Sequence, residues 1–158
     1  MLLDTSAIGA IILKEPGSKK LEAAIEQADD VYVGAPAVFE AGMVISSRLQ
    51  RDARPLIQDL QRQSNITITP FGEDHAWAAT GAFIRFGKGR HPAGLNFGDC
   101  MSYAVATAEE MPLLYGGNDF GKTDVISAGE PRGIAIGVYA SIVCVETRAV
   151  QRGIPAKH

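Results

Sequence analysis

From Leu95 to Met111 the chain carries a helix that has to be largely buried. Asn96 and Gly98 interrupt the backbone just before a run of good helix formers that reaches about Met111. Cys100, Tyr103, Ala104 and Ala108 recur at helical spacing and mark a core-facing stripe of small and apolar residues. Asp99 falls in the first turn, where unpaired backbone N–H groups and the positive end of the helix dipole favour a carboxylate. A helix cap is reason enough for one acid there. The chain, however, sets other acids in positions of the same kind.

Around this helix, short strands alternate with helices. Met1-Leu2-Leu3 reads as a very short strand that stops at Asp4, with Thr5 and Ser6 following. Pro16-Gly17-Ser18 interrupts the next apolar run, and Ser18 is suited to cap a helix carrying Leu21, Ile25 and Ala28 on one face. Val31-Tyr32-Val33 is a second strand. Pro36 fits the first turn of a helix reaching about Arg51, with Phe39 and Met43 one turn apart and Glu40 near its start. Arg54-Pro55 opens another helix with Leu56, Ile57 and Leu60 inward, and Ile66-Thr67-Ile68-Thr69 alternates as a half-exposed strand does. Gly72-Glu73-Asp74 starts a helix with Trp77, Gly81 and Ile84 as its expected inner face. Pro112 to Tyr115 is a last short strand, followed by Gly116-Gly117-Asn118-Asp119-Phe120. The pattern predicts a three-layer α/β/α fold on a mainly parallel sheet.

In such a sheet ligands bind beyond the carboxyl ends of the strands. Asp4 and Asp119 follow strands, and the helices bearing Glu40 and Asp99 begin after loops that return to the same edge. Singly, each acid has a plain explanation as a cap, a turn former or a solvated helix residue. Together in one cleft they would raise each other's pKa, and a divalent cation would offset the repulsion. Oxygen ligands with no His or Cys cluster favour Mg²⁺, with Mn²⁺ as a substitute, over zinc.

Bulk properties narrow the classes further. The 158 residues are 46% hydrophobic, enough for one ordinary core. No apolar run approaches the ~20 residues of a membrane helix. Two cysteines are too few for a zinc site or a disulfide framework, and they suit a reducing cytoplasm, the expected location given an N-terminus without a signal peptide's pattern. A net charge of −3 excludes a generally basic nucleic-acid binder, so any such contact must come from a local patch. The glycine-rich loop from Arg85 to His91 offers one: Arg85, Lys88 and Arg90 are candidate RNA-backbone contacts beside the Asp99 helix.

Four segments, Leu3-Asp4-Thr5-Ser6-Ala7, Pro36-Ala37-Val38-Phe39-Glu40, Leu95-Asn96-Phe97-Gly98-Asp99-Cys100 and Leu113-Leu114-Tyr115-Gly116-Gly117-Asn118-Asp119-Phe120, stand in the order of a PIN domain. The chain most resembles the VapC toxins of bacterial toxin–antitoxin pairs. That resemblance covers residues 1 to about 125, leaving 126–158 as an extension. It implies a metal-dependent endoribonuclease, held inactive by a cognate VapB-type antitoxin and homodimeric like its relatives. The family's acids carry over onto Asp4, Glu40, Asp99 and Asp119, with Asp4 and Asp99 as the expected direct metal ligands. The Ser6 hydroxyl is expected to orient Asp4 or a metal-bound water. Asp124 is the other late acid, expected to support the site or to partner a basic residue.

Two other readings compete. An aspartate-dependent phosphatase of the haloacid-dehalogenase type would want a second Asp two positions after the first, where Ser6 stands. A catalytically silent interaction module on the same fold would have lost an acid, and all four are present. In the extension, Gly133 to Val145 looks like strand material, fit for an edge strand, a partner-binding element or a tail without its own function.

Overall fold

The computed structural model of the protein describes residues 1–129; residues 130–158, with the apolar stretch Gly133–Val145, lie outside the described residues. The chain runs β1 (Leu2–Leu3), α1 (Thr5–Ile12), α2 (Ser18–Glu26), β2 (Tyr32–Gly34), α3 (Ala35–Leu49), α4 (Arg54–Gln63), β3 (Thr67–Thr69), α5 (Glu73–Phe86), α6 (Phe97–Ala108) and β4 (Leu113–Leu114). The strands form one sheet in the order β3-β2-β1-β4, and every pairing is parallel. Beyond β4, Leu113 donates to the Ile126 carbonyl and accepts from Ala128, so the chain continues the sheet's edge there.

Because strand side chains alternate between faces, the central strands feed two cores. Leu3 and Leu114 join Ile8, Ile11, Val33, Ala41, Ile45 and Ile57 on the face covered by α1 to α4. Leu2 and Leu113 join Phe86, Leu95, Tyr103, Val105 and Phe120 on the face covered by α5 and α6. This is the expected three-layer arrangement. Strands of two or three residues suffice because both faces are covered.

Several local expectations are corrected. Gly17, in the left-handed region at φ 93°, is the N-cap of α2, and Ser18 is its buried first residue with no capping hydrogen bond. In α3 the buried face is Ala37, Ala41 and Ile45, while Phe39 and Met43 are 69% and 52% exposed. In α5 Ala82 and Phe86 are buried, while Trp77 and Ile84 are 68% and 60% exposed. Ala108, on the last turn of α6, is exposed. In α3 and α5 alike, alanines share the buried face with one bulky residue, Ile45 or Phe86, and other bulky apolar residues are left on the surface.

Candidate active site

The strand order reverses between β1 and β4, so a crevice opens beyond their carboxyl ends. Asp4 stands at that point. Its backbone N–H donates to Leu114 at 2.9 Å, continuing the pairing with β4, and its side chain caps α1 by accepting from the Ser6 N–H at 2.9 Å. The Ser6 hydroxyl also donates to Asp4 Oδ2 and accepts from the Gly116 N–H at 3.0 Å. One serine thus ties the first acid to the turn after β4. Asp4 is 2% exposed, and its other oxygen, Oδ1, is buried with no hydrogen-bond partner.

Glu40 comes from the second turn of α3. It accepts from the Thr5 hydroxyl at 2.7 Å, which links it to the residue next to Asp4. Asp99 is the third residue of α6, in a reciprocal cap with Asn96: Asn96 N–H donates to Asp99 Oδ2 at 2.7 Å, and Asp99 N–H donates to Asn96 Oδ1 at 3.0 Å. The capping role and the place in the acid cluster therefore belong to one side chain. Asp119 is exposed and precedes a short 3₁₀ turn, Phe120–Lys122, anchored by the buried Phe120 ring against Tyr115.

Electrostatics link the four acids. Burial pushes the Asp99 carboxyl up to about 6, and the charges of Asp4, Asp119 and Glu40 push the same way against the Asn96 hydrogen bond. All four line one open groove of about 1360 Å³, together with Thr5, Ser6 and Asn96. Two basic residues, Lys20 and Arg48, line it as well, Arg48 being ion-paired with Glu15. Among the described residues no three His, Cys, Asp or Glu side chains crowd closely enough to enclose an ion on their own. The donor set nevertheless suits a hard cation that keeps several waters, because the buried Asp4 Oδ1 has an unfilled acceptor and the neighbouring groups are oxygens.

The other sequence candidates lie elsewhere. Asp124 accepts from the Tyr103 hydroxyl at 2.6 Å and pairs with Arg85 at 2.6 Å. Burial opposes its charge, but these donors outweigh it and hold its carboxyl below the usual range. Arg85 is thereby committed to Asp124, and it also lies over the Phe86 ring. Arg90 lies over Phe83, and Lys88 is exposed. The loop is a wound structure, closed by Lys88 N–H to the Leu95 carbonyl and Leu95 N–H to the Phe86 carbonyl. Gly87 is required by packing, since a Cβ there would come 2.8 Å from Phe83 Cε2.

Thr5, Asn96, Lys20 and Arg48 escape a reading of the sequence as site residues. The Asn96-x-x-Asp99 spacing is a recognisable capping box and could have signalled Asn96. Lys20 and Arg48 have no local signal, being far in sequence from the acids they accompany.

Comparison with known proteins places this chain in a family. The PIN domain model matches residues 1–126. Ribonuclease VapC36 of Mycobacterium tuberculosis is 41% identical over 126 residues, 79% of this chain and 91% of that protein. Ribonuclease VapC28 of the same species is 39% identical, covering 84% of this chain and all of that protein. The crystal structure of M. tuberculosis VapC20, a sarcin-ricin-loop-cleaving toxin, superposes with a TM-score of 0.64 at 16% identity, covering 79% of this chain and 95% of that one. A toxin–antitoxin complex from Klebsiella pneumoniae gives 0.60 at 15% identity, covering 82% and 97%. With the fold shared and the identity spread over nearly the whole length of its relatives, the chain belongs to the PIN-domain family, among the VapC ribonucleases.

Proposed function

We propose that this VapC-family ribonuclease is the toxin of a toxin–antitoxin pair and hydrolyses internal phosphodiester bonds of RNA at the Asp4–Glu40–Asp99–Asp119 cluster. The observation that carries the reading is a buried Asp4 whose Oδ1 lacks any donor, at the reversal point of the sheet, with three further acids in the same groove. Asp4 and Asp99 are the residues to hold a divalent cation, Mg²⁺ or Mn²⁺. When bound, the cation supplies Lewis acidity, easing ionisation of the attacking water and shielding the phosphate charge.

The protein's own groups do the rest. Ser6 fixes Asp4 through Oδ2 and leaves the buried Oδ1 without a donor of its own. Thr5 holds Glu40, and the Asn96 cap holds Asp99. Glu40 and Asp119 complete the anionic pocket and are the carboxylates left to orient water or accept its proton. Lys20 and Arg48 supply positive charge for the RNA backbone within the groove, and Lys88 and Arg90 supply it on the loop. A VapB-type antitoxin and a second copy of the chain are the proposed protein partners. Phe39, Met43 and Val44 on α3, with Trp77 and Ile84 on α5, offer the exposed apolar surface such contacts cover. Among the described residues no helix is long and apolar enough to cross a membrane.

The test is cleavage of total RNA by the purified protein with Mg²⁺ and with EDTA. Asp4→Asn and Asp99→Asn are each expected to abolish cleavage while leaving the protein folded by circular dichroism. Full cleavage by either variant in Mg²⁺ would overturn the mechanism.

A further inference from the structure

The residue before Asp99 has no side chain, and the reason lies across the groove. Gly98 is buried in the first turn of α6, where the backbone is helical and any L residue fits. A Cβ at this position would come 2.6 Å from Glu40 Cδ and closer still to both carboxyl oxygens. No other described glycine abuts a carboxylate in this way: at Gly42 and Gly81, also helical, an added Cβ meets nothing within 4 Å. On its other side the same Glu40 carboxylate accepts from the Thr5 hydroxyl at 2.7 Å. Glu40 is therefore held between a donor on α1 and a bare stretch of backbone on α6.

We propose that Gly98 and Thr5 are positioning residues that together seat the Glu40 carboxylate beside Asp99, Gly98 by leaving space and Thr5 by donating a hydrogen bond. The inference rests on the proposed role of Glu40 in the cluster. Its physical content is that α6 tolerates alanine at position 98 while Glu40 does not. Alanine is the better helix former, so the helix itself gains from Gly98→Ala. The clash falls on the far end of a flexible side chain, which turns away at little cost to the fold. A carboxylate turned out of the groove no longer shares the site with Asp4 and Asp99, and a displacement of this order is enough to lower a rate substantially.

The experiment uses the full chain and five single variants, Gly98→Ala, Gly81→Ala as the control for an unobstructed helical glycine, Thr5→Val, Thr5→Ser and Glu40→Gln, with Gly98→Ala also combined with Glu40→Gln and with Glu40→Asp. In metal-free protein with ¹³C-labelled glutamate, the Glu40 carboxyl resonance is assigned by its loss in Glu40→Gln. It is expected to shift in Gly98→Ala and Thr5→Val, and to stay in place in Gly81→Ala and Thr5→Ser. With Mg²⁺, Gly98→Ala is expected to lose at least tenfold in kcat/KM with a melting temperature no lower than that of Gly81→Ala. Adding Gly98→Ala to Glu40→Gln should cost nothing more. Glu40→Asp, whose shorter side chain clears the new methyl, should recover part of the loss in the Gly98→Ala background. An unmoved Glu40 resonance in Gly98→Ala and Thr5→Val, or losses that add to that of Glu40→Gln, would overturn the proposal. Full activity of Glu40→Gln alone would instead overturn the role assigned to Glu40 while leaving its seating to be read from the resonance.

Discussion

At the scale of the single residue, Asp99 joins a structural role and a proposed chemical one in one carboxylate. Its oxygen closes the N-terminal cap of α6, a contact that favours the charged form, yet burial and the neighbouring acids dominate and lift its pKa to about 6. The sign of the consequence follows from linkage. An acid whose folded pKa exceeds its ordinary value near 3.9 binds protons more tightly folded than unfolded, so stability falls as pH rises between the two values. The penalty is complete above about pH 6. Asp99→Asn removes the charge and keeps an amide oxygen able to accept from the Asn96 N–H. In EDTA, this variant is therefore expected to melt above the parent at pH 7.5, with the gain shrinking below pH 6 and absent near pH 4. Melting curves across that range check it. A variant that melts below the parent at pH 7.5 would mean that the cap outweighs the repulsion. Divalent-ion affinity should correspondingly weaken below pH 6, where the proton competes for the same oxygen.

At the scale of the element, α5, α6 and the segment after β4 are fastened at one acid. Arg85 on α5 and Tyr103 on α6 both donate to Asp124, which follows the 3₁₀ turn that Asp119 precedes. This latch sets Asp124 apart from the other late acid, since Asp119 lines the groove and Asp124 spends its oxygens on structural donors. Asp124→Asn is expected to cost roughly 1–2 kcal/mol in chemical denaturation, for a partly exposed ion pair and one partly buried hydrogen bond, and to retain cleavage. Asp119→Asn is expected to do the reverse, and a Mg²⁺ titration of both distinguishes the two. The sequence made the elements legible: Pro36 at the first turn of α3 and the strand stops at Asp4 and Tyr115 place the acids on one edge. The inward faces of α3 and α5 were not legible. Phe39 with Met43, and Trp77 with Ile84, have the helical spacing of a core stripe, but both faces of these helices carry apolar residues. Ala37, Ala41 and Ala82 share the interior with Ile45 and Phe86, and the alanines let the layers approach closely. Size and spacing alone do not reveal that choice. The seat of Glu40 was hidden for a related reason, since a glycine in a helix shows its purpose only when the opposing side chain is in view.

At the scale of the whole molecule, an acidic protein with a net charge of −3 that cleaves RNA has to attract a polyanion to a groove lined by four clustered acids. Long-range attraction cannot achieve this, so local cations have to. Proximity in sequence points to Arg85, Lys88 and Arg90, which lead into the Asp99 helix. The folded chain offers another pair, because Lys20 from α2 and Arg48 from α3 line the groove that holds the acids. Each contact with a single-stranded phosphate contributes about 0.7 to the slope of log K against log salt. In an Asp99→Asn background, where RNA survives the titration, Lys20→Gln with Arg48→Gln is expected to flatten that slope by about 1.4. Lys88→Gln with Arg90→Gln removes the same two charges, so the change in overall field is matched and any difference reports position. If the RNA follows the groove, the first pair flattens the slope more than the second. If the loop pair has the larger effect, the backbone runs over the α5–α6 loop, and the acids are approached from that side. Equal and small effects would assign attraction to neither pair and leave the proposed divalent cation, which Asp4 and Asp99 would hold, as the main positive charge that the phosphate meets.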